Sequence, residues 1–163
     1  MVWLLVPLTV GAAMPAQKIK IFNPDTNEVE DVDPVVKSDA EWKQALTPQQ
    51  YDVLRRKGTE RAFSNQCAIP RSGEGIYRCA ACGTALFAYT KKFESGTGWP
   101  SFWNPVSEHN VKMIRDASHG MAREEVVCAR CGSHLGHVFD DGPPPTGKRY
   151  CINAVALMLE QKP

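Results

Sequence analysis

A chain of 163 residues is long enough for one domain with a real hydrophobic core and too short for two of ordinary size. Its 19 Lys and Arg nearly cancel its 18 Asp and Glu, and no basic run of five or more occurs, so nothing in it offers an electrostatic footprint for nucleic acid or an anionic membrane. The 12 Gly and 12 Pro fall mostly between short apolar runs, which points to many turns and a β-rich body rather than a helical bundle.

Residues 1–16, MVWLLVPLTVGAAMPA, are an apolar run followed by small residues, resembling the hydrophobic region and cleavage site of an export signal. The basic opening of such a signal is missing, and a run of roughly 13 apolar residues falls short of the about 20 that span a bilayer. One reading is an exported or periplasmic protein. The others are a start placed upstream of Met14, which leaves a cytoplasmic protein, and a mitochondrial-type leader.

Residues 17–37 read as an N-terminal arm, with a short strand at KIKIF, a turn at NPDTN and an extended remainder. Ser38 and Glu41 have capping-box spacing and open a short helix with Trp42, Ala45 and Leu46 on one face. Thr47, Pro48 and Gln50 open a second one carrying Tyr51 and Leu54, with Gly58 as its stop. After Gly58 the pattern becomes short strands broken by Gly and Pro: IYRC, TALFAYTKKFE, NVKMI, GMAREEVVCA and KRYCINAVALMLE. The fold class expected is therefore mainly β, antiparallel sheets with short N-terminal helices at their edge. In the last strand, period two puts Arg149, Cys151, Asn153 and Val155 on one face.

The six cysteines divide four and two. Cys79-Ala80-Ala81-Cys82-Gly83 and Cys128-Ala129-Arg130-Cys131-Gly132 are near-identical knuckles. Two thiolates two residues apart reach one ion from a tight turn, the Gly lets the backbone fold over the sulfurs, and two such turns close a tetrahedron. Zinc is the ion expected, with iron the other that suits a sulfur-only shell. Four thiolates leave no open position, so the metal staples two distant segments and does not catalyse.

Cys151 lies outside both knuckles, and a lone Cys in a strand is more often a buried apolar residue than a nucleophile. Arg149 and a histidine nearby would favour its thiolate. His134 and His137 are available; their spacing of three cannot put both on one strand face, so a Gly-bounded turn is expected to aim them differently. They could equally be core histidines bonded to Asp140 or Asp141. Gly96 and Gly98 could expose Trp99 as a wall for a small apolar group, although Trp is more often simply core.

The two CxxCG knuckles, SGTGWPSF, HLGHVFDDGP and PTGKRYCINA, in that order between about Ala40 and Leu159, resemble the B-type methionine sulfoxide reductase family. The resemblance implies one reductase domain over residues 38–160, antiparallel sheets around a four-cysteine zinc site, and reduction of methionine (R)-sulfoxide in oxidised proteins. It also implies Cys151 as the catalytic thiolate and a site assembled from His134, His137, Arg149 and Asn153, with Trp99 and Phe139 holding substrate. The thiolate would attack the sulfoxide sulfur while His134 or His137 protonates the oxygen, leaving methionine and a sulfenic acid on Cys151. A second thiol would condense with that acid to a disulfide, and a thioredoxin-type reductant would reset it.

One position departs from the family pattern. Thr97 stands between Gly96 and Gly98, where relatives often carry the resolving Cys. Cys67, in the polar loop FSNQCAIP, is the unassigned thiol and resembles the resolving Cys that some members place there. The alternative is a passive Cys67 with a small reductant acting directly on the sulfenic acid. Two other classes compete: a zinc-ribbon binding module, which has no reason to carry GWPSF, HLGHVF and RYCIN, and a CxxC disulfide oxidoreductase, which needs a thioredoxin-like βαβ context not found here. A monomer with no nucleic-acid or membrane partner is expected.

Overall fold

The computed structural model describes residues 17–64, 75–118 and 122–161; the leader-like run and Cys67 with its loop lie outside them. The arm is more regular than expected. NPDTN turns the chain so that β1 (Ile19–Asn23) pairs with a second strand, β2 (Glu28–Val32). EVEDV gave no sign of this because the strand buries nothing: Val29 is exposed, and pairing comes from the turn and the backbone ladder.

Both helices form where the caps place them. In α1 (Asp39–Ala45) the Ser38 hydroxyl accepts from the Glu41 amide and the Glu41 carboxylate accepts from the Ser38 amide. Thr47 and Gln50 repeat this at the start of α2 (Pro48–Arg56). Trp42, Leu46, Val53 and Leu54 are buried, while Ala45 faces outward. Lys57, not Gly58, takes the left-handed conformation at the end of α2, with φ 59°. Gly58 follows it, its amide donating to the Asp52 carbonyl at 3.0 Å.

Two long runs each break in two. TALFAYTKKFE divides into β4 (Ala85–Ala88) and β5 (Lys92–Phe93) around a single 3-10 turn. KRYCINAVALMLE divides into β10 (Arg149–Ile152) and β11 (Leu157–Gln161) around another at Ala154–Ala156. The second break has a tertiary cause: the buried Glu60 carboxylate accepts from the amides of Ala154 and Val155 at 2.5 and 3.1 Å, and so pulls them out of the strand. Alternation therefore holds only from Arg149 to Ile152 and does not extend to Val155.

The remaining strands are β3 (Gly75–Cys79), β6 (Ser101–Phe102), β7 (Val111–Asp116), β8 (Arg123–Cys128) and β9 (His134–Phe139). A six-stranded sheet runs β5-β6-β10-β9-β8-β7 and a three-stranded sheet β11-β3-β4; every pairing is antiparallel, as expected. Aromatic rings join the two sheets: Phe87 stacks on Phe102 at 4.4 Å, Tyr77 meets Phe102 edge-on at 5.1 Å, and Tyr150 lies 5.7 Å from Phe87. Such pairs add about 0.5–1.5 kcal/mol each beyond the area they bury. No helix among the described residues is long and apolar enough to cross a membrane.

Asn110, fully buried, ties the arm to this body. Its Nδ2 donates to the carbonyls of Phe22 and Ala85, and its Oδ1 accepts from the Phe22 amide, all at 2.8 Å. Asn110→Ala strands three backbone groups at about 1–3 kcal/mol for each that stays dry. It should lower stability by about 2 kcal/mol or more in urea unfolding and speed amide exchange in β1 and β2 while metal content stays unchanged. Unaltered exchange in that hairpin would contradict the assignment.

Candidate active site and metal centre

Each knuckle closes the end of one strand pair. Cys79 ends β3 and Cys128 ends β8; the amide of Gly83 donates to the Cys79 carbonyl and that of Gly132 to the Cys128 carbonyl. Both glycines adopt the left-handed conformation that the turn demands, with φ of 75° and 68°. Cys79 and Cys131 sulfurs are 3.8 Å apart, Cys82 and Cys128 are 3.5 Å apart, and all four lie within 4.8 Å. Four thiolates about 2.3 Å from one ion at tetrahedral angles would be about 3.8 Å from each other, so the donor set fits a closed zinc site. Hydrogen bonding among the sulfurs, chiefly with Cys128, together with burial pushes the Cys79 thiol well above its ordinary range. A dication is what allows four such sulfurs to be thiolates together. The site joins two different sheets, the three-stranded one through β3 and the six-stranded one through β8, rather than two segments of one.

Cys151 lies on β10, an interior strand of the six-stranded sheet. Across the six-stranded sheet Glu125 faces His137, His137 faces Cys151 and Cys151 faces Ser101, one row on one face. Both histidines lie on β9, and their rings are 5.5 Å apart, contrary to the expectation that a turn would aim them differently. The reason is a bulge: Val126 pairs with Gly136 and Val127 with His134, leaving Leu135 without a partner, and one extra residue returns His134 to the face of His137. The Leu135 carbonyl faces β10 and accepts from the amide and the carboxamide of Asn153, both at 2.9 Å. Gly136 is sterically required beside the thiol, since a Cβ there would sit 2.0 Å from the Cys151 carbonyl oxygen.

Thr59, Trp99, Gly136, His137, Phe139, Cys151 and Asn153 line a cavity of about 140 Å³. The structure thus brings five of the expected residues together. His134 is not among the lining residues: it is 3% exposed and lies behind His137. Arg149 is set at the side, its guanidinium 4.5 Å over the Phe139 ring and paired through two nitrogens with Asp141 at 2.8 and 2.9 Å. Asp140 pairs with Lys148, so neither aspartate serves a histidine. The carboxylate partners are Glu125 for His134 at 2.8 Å and Asp116 for His137 at 2.9 Å. Burial pushes the Cys151 thiol up, against the opposing charge of Arg149 and a hydrogen bond from Thr97, so the free enzyme holds a thiol more firmly than its neighbours suggested.

Glu60 is the main residue the motifs missed. Its amide donates to Asn153 Oδ1 at 3.0 Å, its carbonyl accepts from Trp99 Nε1 at 3.1 Å, and its carboxylate makes the turn after β10. A carboxylate directly after a helix-ending Gly-Thr was its only signal.

The fold and site define a class: a β protein stapled by a closed four-thiolate metal, with a separate thiol in an aromatic cavity beside a histidine. The SelR domain matches residues 46–161, and the chain belongs to that family. A peptide methionine sulfoxide reductase MsrB of Methanosarcina barkeri is 61% identical over 123 residues, covering 76% of this chain and 86% of that protein. Proteins of the same name from Leptospira interrogans and Bradyrhizobium diazoefficiens are each 53% identical, covering 78% and 85% of this chain and 97% and 99% of theirs. The family read from the knuckles and the three motifs is the one these matches identify.

The purified chain should carry one zinc ion. Cys79→Ser should lose it and unfold, because a structural zinc contributes roughly 10 kcal/mol or more of folding free energy. Elemental analysis with thermal unfolding checks this, and a folded metal-free protein would contradict it.

Proposed function

We propose that the chain reduces methionine (R)-sulfoxide in oxidised proteins. One observation carries the reading: Cys151, apart from the metal, faces a small cavity walled by Trp99, Phe139 and His137, in a chain whose relatives are peptide methionine sulfoxide reductases. A zinc-ribbon binding module has no use for such a cavity.

The methyl group of the sulfoxide packs between Trp99 and Phe139 while its sulfur meets Cys151. His137 is the acid, since it lines the cavity and His134 does not. Cys151 gives its proton to His137 as its sulfur attacks the sulfoxide sulfur, and His137 passes that proton to the sulfoxide oxygen, which moves to Cys151; methionine departs reduced by two electrons and Cys151 becomes a sulfenic acid. Arg149 supplies positive charge beside the thiol, Asn153 fixes the turn that follows it, and His134 supports the His137 ring. The Cys67 thiol then condenses with the sulfenic acid, releasing water and forming a disulfide that a thioredoxin-type dithiol reduces. A single chain suffices for these steps. The zinc supplies a rigid frame and takes no part in the electron transfer.

Separated epimers and two variants test the scheme. The R epimer should turn over with thioredoxin and the S epimer should not. Cys151→Ser should abolish even one turnover. Cys67→Ser should still form one methionine per chain and accumulate sulfenic acid, with cycling on thioredoxin sharply reduced and small thiols restoring it. Equal rates on both epimers would remove the assignment, and undiminished thioredoxin cycling in Cys67→Ser would remove the resolving role.

A further inference from the structure

We propose that Asp116, held in place by Arg123, is a positioning residue that makes His137 a proton donor to the cavity; this rests on the reading of His137 as the acid. Asp116 ends β7, two strands away from His137 on β9, and reaches it across the hairpin of β7 and β8. Asp116 Oδ2 accepts from His137 Nε2 at 2.9 Å and from Arg123 Nη2 at 3.1 Å, and Oδ1 accepts from the Ser118 amide at 2.9 Å. Side chains of Asp116 and His137 are 18% and 17% exposed, so the contact is largely shielded from water.

The tautomer follows from these bonds. Hydrogen bonds from Ser118, then from His137, with Arg123 beside them, hold Asp116 well below the usual carboxylate range, so it is ionised and can only accept. His137 Nε2 must therefore carry a proton, and Nδ1 is the ring nitrogen left over. A neutral ring so arranged offers a lone pair at Nδ1, which takes the proton that Cys151 gives up and passes it to the sulfoxide oxygen while Nε2–H stays bonded to Asp116. Arg123 on the same carboxylate oxygen disfavours transfer of the proton onward to Asp116. After Nδ1 gives its proton to the sulfoxide oxygen, the ring is neutral with Nε2–H already bonded to Asp116, and nothing has to turn.

The charged and titratable groups facing His137 are Asp116 from β7, Arg123 and Glu125 from β8, His134 on its own strand, and Arg149 and Cys151 from β10. Glu125 is already engaged, accepting from His134 Nδ1 and from Lys57 at 2.8 Å each. His134 thus has a carboxylate partner of its own but lies outside the cavity, and burial lowers its proton affinity. Of the two histidine–carboxylate pairs, only the one built on Asp116 delivers a proton to the substrate.

The test is single-turnover reduction of peptidyl methionine (R)-sulfoxide by the zinc-loaded chain in Asp116→Asn, Asp116→Glu, His137→Gln and the Asp116→Asn/His137→Gln double variant. Asp116→Asn should slow the step by about 10- to 100-fold, less than the roughly 100- to 10,000-fold that a positioned acid contributes because the imidazole itself remains, with Asp116→Glu recovering most of the rate. Placed in the His137→Gln background, the same change should cost less than about threefold, because its effect runs through the imidazole. Nitrogen-15 spectra of the parent should show His137 protonated at Nε2. An Asp116→Asn variant as fast as the parent, the same loss in both backgrounds, or a His137 protonated at Nδ1 alone would each overturn the proposal while leaving the acid role of His137 standing. A His137→Gln variant as fast as the parent would instead overturn both.

Discussion

Closure of four thiolates around one zinc is the constraint on which the rest of the molecule depends. The three-stranded and six-stranded sheets share an aromatic interior, but their strands are only two to six residues long. A chain of this size with that much turn has limited apolar area to set against its conformational entropy. The knuckles supply what is missing by fixing the ends of β3 and β8 at one point. Other elements then attach to that point: Arg55 of α2 donates to the Cys131 carbonyl and to Ser133, and the Val35 amide of the arm donates to the Arg130 carbonyl.

A frame anchored on β8 and its hairpin partner β9 also sets the chemistry. The bulge at Leu135 lies four residues beyond the last zinc ligand, and it has two neighbours in the site. It rotates His134 onto the face of His137, and the carbonyl of Leu135, on the β10 side, holds Asn153 two residues after Cys151. The same face then carries two triads, His134–Glu125–Lys57 and His137–Asp116–Arg123, each a histidine, a carboxylate and a cation. Charge is thereby balanced within each group, while the cavity itself stays mostly apolar around the Cys151 sulfur. Burial favours the Cys151 thiol over the thiolate, which in the proposed reaction would spare it from passing oxidants until substrate is bound.

Local features were legible in the sequence to the extent that their causes are local. The capping boxes of Ser38 and Thr47, the knuckles with their glycines, and the alternation of Arg149 to Ile152 all depend on neighbours along the chain. What escaped reading was tertiary. The break after Ile152 is made by Glu60, more than ninety residues earlier. The shared face of His134 and His137 needs a bulge whose partner is Val126 and Val127 on another strand, and no spacing rule within HLGH could show it. Likewise Asp140 and Asp141 were the obvious carboxylates by proximity in sequence, yet Asp116 and Glu125 hold the histidines because strand register, not chain distance, decides who faces whom.

The proposed function divides the cysteines between two tasks: four hold the frame, and Cys151, followed by Cys67, does the chemistry. That division is tested most directly by giving the full chain one equivalent of methionine (R)-sulfoxide without reductant and mapping all six cysteines by differential alkylation, with released zinc measured in the same sample. The account predicts loss of free thiol at Cys151 and Cys67 alone, one methionine formed per chain, and zinc retained on Cys79, Cys82, Cys128 and Cys131. Oxidation of a knuckle cysteine with zinc release, while Cys151 stays reduced and methionine still forms, would contradict it.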